Sequence, residues 1–140
     1  MIRNVALFLV YFSAWNSGTL NNIKGHSTII YDKVFSNEGN AYNEATGKFT
    51  APRDGPFVFT WTALTTDKFL INVYIWHNGK RLSVAQAESK DETQNSSGSN
   101  TIVLKLKKDD VVELKCGLWG DDKLHQLYGD AHSTFSGWEL

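Results

Sequence analysis

The chain predicts an all-β domain, and three observations carry that expectation. Apolar and polar residues alternate with a period of two over short runs, turn-forming residues separate those runs at short intervals, and no useful stretch repeats at helical spacing. The run containing Tyr31, Tyr42, Phe49, Phe57, Phe59 and Trp61 is the most informative: Asn37 and Gly39 mark one turn, Thr46-Gly47 a second and Pro52-Arg53-Asp54-Gly55 a third. In order, strands are expected over 10–15, 28–34, 47–51 and 57–64. Within the last, Phe57, Phe59 and Trp61 point one way and Val58, Thr60 and Thr62 the other. Residues 69–77 are apolar on both faces and end in Asn78-Gly79, a strong hairpin signal, with 82–87 returning. A polar loop follows over 88–99, then strands over 101–107 and 111–119. A second loop covers 120–131, and 132–140 closes the chain. The expected core is Phe12, Tyr31, Phe49, Phe57, Phe59, Trp61, Leu104, Leu114 and Phe135.

Composition narrows the function classes. A chain of 140 residues is one domain, and 14 basic against 15 acidic side chains leave no electrostatic footprint for nucleic acid or an anionic membrane. Two Pro and no low-complexity tract exclude a disordered chain. The single Cys116 continues the face of Val112, Leu114 and Leu118, opposite Glu113 and Lys115, and reads as a small buried hydrophobe. The apolar run 5–12 imitates a secretory signal, but it is too short to span a bilayer and reads better as leading into a buried strand.

The offsets of Tyr31, Asn37, Tyr42, Phe49, Gly55, Phe57, Phe59 and Trp61 resemble the central motif of the complement C1q globular-head family. Val10-Tyr11-Phe12-Ser13-Ala14, Ser97-Gly98-Ser99, Lys108-Asp109-Asp110-Val111-Val112 and Ser133-Thr134-Phe135-Ser136-Gly137-Trp138 extend the resemblance to the end of the chain. Asp109 and Glu139 depart from the family pattern. Glu139 is expected at a rim or paired, since an unpaired buried carboxylate is costly. The resemblance implies an antiparallel ten-stranded jelly-roll sandwich over residues 10–140, with 1–9 as an extension or atypical signal remnant. It also implies a secreted protein that assembles as a homotrimer. The second face of 69–77 is the surface expected to meet a partner subunit.

Catalytic constellations are thin. His26, His77, His125 and His132 lack zinc-type spacing, and Cys116 has no activating neighbour on its own face, so an enzyme is not expected. The loop from Trp119 to Asp130 mixes rings with carboxylates, as carbohydrate recognition requires. Trp119 or Tyr128 would stack on a sugar, and Asp121, Asp122, His125 or Asp130 would bond its hydroxyls. A neutral His125 acting as acceptor would make binding fall between about pH 7 and 5, and a protonated His125 pairing with an acidic sugar's carboxylate would reverse that sign. In some members of the resembled family the other polar loop holds calcium, which here points to Glu88, Asp91 and Glu92 as oxygen ligands. The function expected is lectin-like recognition of glycans or microbial surface molecules in innate immunity. A secreted ligand for a cell-surface receptor and a trimerisation module without its own ligand are the alternatives. Asn95-Ser96-Ser97 is a glycosylation sequon.

Overall fold

Two twelve-residue strands form the spine of the domain. Gly55–Thr66 and Asn95–Leu106 pair antiparallel along their whole length, from Gly55 opposite Leu106 to Thr66 opposite Asn95. The computed structural model describes residues 8–91 and 93–140; residues 1–7, most of the expected extension, and Glu92 lie outside the described residues. In chain order the strands are β1 (Tyr11–Trp15), β2 (Leu20–Asn21), β3 (Lys33–Glu38), β4 (Tyr42–Asn43), β5 (Lys48–Thr50), β6 (Gly55–Thr66) and β7 (Leu70–His77). They continue as β8 (Lys80–Glu88), β9 (Asn95–Leu106), β10 (Val111–Cys116), β11 (Gln126–Leu127) and β12 (Thr134–Glu139). Ten of them make two five-stranded sheets, β3-β1-β12-β6-β9 and β4-β5-β10-β7-β8, and β2 pairs with β11 in a small ribbon. This is the expected antiparallel jelly roll.

Period-two alternation places the core between the sheets. Phe12 stacks on Tyr42 with ring centres 4.8 Å apart and meets Phe135 edge-on at 4.9 Å. The Trp61 indole donates to the Val73 carbonyl at 2.9 Å, tying one sheet to the other. Of the nine expected core residues, eight are buried; Leu104 is half-buried against the cluster. Cys116 also faces inward and is buried.

Side-chain bonds close the two open flanks. Asn100 Nδ2 on β9 donates to Ser83 Oγ at 2.7 Å and Val84 O at 2.9 Å on β8. Gly98 lets the same two strands touch, because a Cβ there would lie 2.1 Å from the Gln86 carbonyl oxygen. On the other flank Asn37 brackets Tyr42, donating to its carbonyl at 2.7 Å and accepting from its N–H at 3.2 Å.

The turns behave as their residues require. Asn78 and Gly79 both take positive φ (48° and 79°), the geometry of a tight hairpin between β7 and β8. Asp110 fixes the turn into β10 by accepting from Lys107 N, His77 Nε2 and Asn78 Nδ2, each at 2.9 Å. Glu139 is paired, as its position demanded: Arg53 Nε donates to both carboxylate oxygens, at 3.1 and 2.9 Å. Another Arg53 nitrogen reaches the Phe8 carbonyl at 2.9 Å.

Three expectations change. Residues 28–34 are not one strand: Thr28 makes an isolated bridge to Lys115, and β3 begins only at Lys33. The segment instead continues the place of β5 along β10, with Ile29 N bonded to Leu114 O and His26 N to Cys116 O, both at 2.8 Å. The expected loop 88–99 gives up residues 95–99 to β9, because pairing with β6 outweighs the weak strand preference of Ser, Asn and Gly. The second face of β7 is covered from within the chain. Arg81 lies over the Tyr74 ring at 4.7 Å, Lys115 over Trp76 at 4.6 Å, and His26 meets Trp76 edge-on.

Among the described residues, an exposed apolar row lies on the opposite sheet. Its outer face carries one row across four strands, Tyr11–Trp138–Val58–Val103, with Tyr11, Trp138 and Val103 exposed. Beside it runs a hydroxyl row, Ser36–Ser13–Ser136–Thr60–Thr101.

Candidate functional site

The chain between β10 and β12 leaves the sheet at Gly117, whose N–H bonds Asn72 O at 2.8 Å, and reverses at Gly120, where φ is +79°. Asp121 then caps a single 3-10 turn, Asp122–Leu124, its carboxylate accepting from Lys123 N at 3.0 Å. Short polar residues at such a cap satisfy N–H groups that the turn leaves open.

His125 anchors this arch from below. It is 1% exposed, and its ring nitrogens face two backbone carbonyls, Nδ1 at 2.7 Å from Ile23 O and Nε2 at 2.6 Å from Trp119 O. Cys116 Sγ lies 3.4 Å and Asp122 Oδ1 3.7 Å from Nδ1. A neutral imidazole has one N–H and can serve only one of these carbonyls; a charged ring serves both. His125 therefore joins the 117–125 arch to the segment around Ile23. Burial, and secondarily the Asp122 carboxylate, push the Cys116 thiol up to about 12, which keeps it protonated and unreactive.

Pinned in this way, the arch presents large side chains to solvent: Leu118 is 64%, Trp119 47% and Leu124 41% exposed. Beyond it, Gln126 is buried and its carbonyl oxygen accepts from Thr65 Oγ1, Thr66 N and Thr66 Oγ1 at 3.0–3.2 Å. Tyr128 is half-buried, its N–H bonded to Leu64 O at 2.9 Å and its ring edge-on to His132 at 4.9 Å. Asp130 is exposed at positive φ, with its N–H on Ser17 O.

The expected site residues thus divide. Trp119, Asp121 and Asp122 belong to the arch beside Ile23 and Gly25, whereas Tyr128 and Asp130 belong to the turn packed on Ser17 and Thr19. His125 joins neither exposed set: burial and two carbonyl partners remove it from any ligand's reach. The loss of binding expected from a neutral His125 acceptor falls with it. Leu118, expected on the inward face of a strand running to 119, instead lies beyond the end of β10 at Cys116 and is exposed, while Leu124 was passed over, its only signal being an aliphatic residue in a mostly polar loop.

Glu88 and Asp91 are both exposed, and Glu92 lies outside the described residues. Among the described residues no group of three or more His, Cys, Asp or Glu side chains is placed to hold a metal ion. No helix among them is long and apolar enough to cross a membrane.

Comparison with known proteins gives a consistent picture. Complement C1q tumor necrosis factor-related protein 3 of Mus musculus is 36% identical over 144 residues, covering 99% of this chain and 51% of that protein. The heavy metal-binding protein HIP of Mytilus edulis is 30% identical over 131 residues, covering 94% of this chain and 60% of that protein. The chain spans about half the length of these curated relatives, 51% and 60%. Among solved structures, the globular domain of zebrafish complement 1qA protein superposes with a TM-score of 0.75 at 15% identity, over 94% of this chain and 97% of that one. Eiger TNF from S. frugiperda gives 0.75 at 11% identity, over 96% and 94%. Murine APRIL at pH 8.0 gives 0.70 at 11%, over 94% and 99%. Those likenesses concern the fold. The C1q domain model matches residues 11–140, and the domains of that family are non-enzymatic ligand or recognition modules. This chain belongs to the C1q domain family.

Proposed function

We propose that the chain is an extracellular recognition protein that assembles as a homotrimer and takes its ligand on the arch around Trp119. The observation that carries this reading is Trp119 itself, a large ring 47% exposed on a loop whose base is fixed by the buried His125. A pre-ordered exposed aromatic loses little entropy on binding. Trp119 stacking on an apolar sugar face, with Asp121 and Asp122 beside it to accept from hydroxyls, makes the arch a lectin-like site for microbial surface glycans. Tyr128 and Asp130 supply a neighbouring contact. Three arches in one assembly would multiply a weak sugar contact through avidity.

The trimer draws its support from the apolar row Tyr11–Trp138–Val58–Val103, whose Tyr11, Trp138 and Val103 are left exposed by the described residues. Extracellular placement is supported by the kinship with complement C1q tumor necrosis factor-related protein 3. A second reading has its own observation. Leu118 and Leu124 flank Trp119, and an aromatic among aliphatic residues also suits a protein partner such as a cell-surface receptor.

A glycan array with wild type and Trp119→Ala, run with and without chelator, separates these readings. Sugar-competable binding lost in the variant supports the lectin. No array signal, together with Trp119-dependent, saturable binding to cells that free sugars do not compete, transfers the arch to a receptor. Chelator-sensitive array binding would bring in calcium, for which Glu88 and Asp91 are the described carboxylates of the second loop.

A further inference from the structure

We propose that Asn95 carries an N-linked oligosaccharide, placed at the same end of the sandwich as the Trp119 arch. This rests on the extracellular reading, because the modification belongs to the secretory pathway. Asn95-Ser96-Ser97 is an acceptor sequence with no proline within or directly after it. Its place in the fold suits the modification. Asn95 is the first residue of β9, directly after the polar turn, and its side chain is exposed and makes no hydrogen bond or ion pair among the described residues. Ser97 is exposed too, and Asn95 and Ser97 face outward with the same alternation that turns Ser96 and Gly98 partly inward. A bulky substituent at Asn95 therefore displaces none of the described residues.

Location gives the site its meaning. Asn95 lies opposite Thr66, and Thr66 is bonded through its N–H and hydroxyl to Gln126, the residue after His125. An oligosaccharide at Asn95 stands beside the base of the arch. Along β9 it is eight residues from Val103, about 26 Å at the usual strand rise, so it clears the apolar row on the same sheet face. In the modification itself, the Asn95 amide nitrogen attacks the anomeric carbon of a polyprenyl-diphosphate-linked oligosaccharide. The N–C bond forms, the C–O bond to the diphosphate breaks, the lipid diphosphate leaves and the amide nitrogen loses one proton.

The test uses the full chain routed through the secretory pathway of insect or mammalian cells by an appended signal peptide. Wild type is compared with Asn95→Gln and Ser97→Ala by intact mass before and after peptide N-glycosidase treatment. The expected result is a glycan mass on wild type alone, with position 95 converted to Asp on release and the same oligomeric state for all three proteins. Folded wild type recovered from the medium with unmodified Asn95 overturns the proposal. So does a glycan mass that persists in both variants. Either result leaves the ligand reading untouched, since that is tested separately on Trp119.

Discussion

Tyr31 and Tyr42 sit side by side in the core with opposite consequences. The Tyr42 hydroxyl donates to Tyr31 O at 2.7 Å, while the Tyr31 hydroxyl is fully buried without a partner among the described residues. Tyr31→Phe should leave stability unchanged or raise it by about 1 kcal/mol, and Tyr42→Phe should lower it by about 1 kcal/mol, read from urea denaturation midpoints. Two losses of equal size would mean that the Tyr31 hydroxyl has a partner in solution. His125→Ala strips donors from the Ile23 and Trp119 carbonyls and opens a void, an expected cost of about 2–4 kcal/mol. The same denaturation curves measure it. The ring positions were legible in the sequence because alternation assigns a face to each strand residue. His125 was not: it lies in a polar loop, and only long-range contact with Ile23 decides that it is buried.

At the scale of the element, the turn into β10 depends on an ionised Asp110. Backbone N–H donation from Lys107, then Asn78 and His77, hold its carboxyl down to about 2. A group depressed in the folded state stabilises fully above its unfolded value of about 3.9 and loses that contribution as pH falls through the folded value. Acid melts of wild type should therefore fall between about pH 4 and 2 more steeply than those of Asp110→Asn; parallel curves would remove Asp110 from the acid response. The contact of β9 with β8 offers a second test. Gly98→Ala should destabilise by about 2–3 kcal/mol, because backbone rather than a flexible side chain stands in the way of a Cβ; an unchanged thermal midpoint would mean that the strands can part without cost. Asn78-Gly79 announced its hairpin in sequence because the turn type demands those residues. The start of β9 did not, since pairing with a distant strand overrode its composition.

For the whole molecule, the apolar row Tyr11–Trp138–Val58–Val103 is the surface proposed above to meet a partner subunit. Trp138 is 40% exposed, so Trp138→Glu should leave the fold intact and turn a trimer into monomers in sedimentation velocity at micromolar concentration. Monomeric wild type at that concentration would end the assembly reading. The sequence pointed to a different surface. It marked the doubly apolar 69–77, whose second face is in fact capped by Arg81, Lys115 and His26. The proposed row is assembled from four strands far apart in sequence, so no single stretch displays it.

The Arg53 clamp has a practical consequence. It gathers Phe8 and Glu139 at the Gly55 end of β6, while Gln126 meets Thr66 at the other. The strand between them spans about 36 Å. A bead, chip or fused scaffold coupled beside Phe8 or Glu139 thus holds the domain by its foot, with Trp119 toward the opposite end, facing whatever flows past.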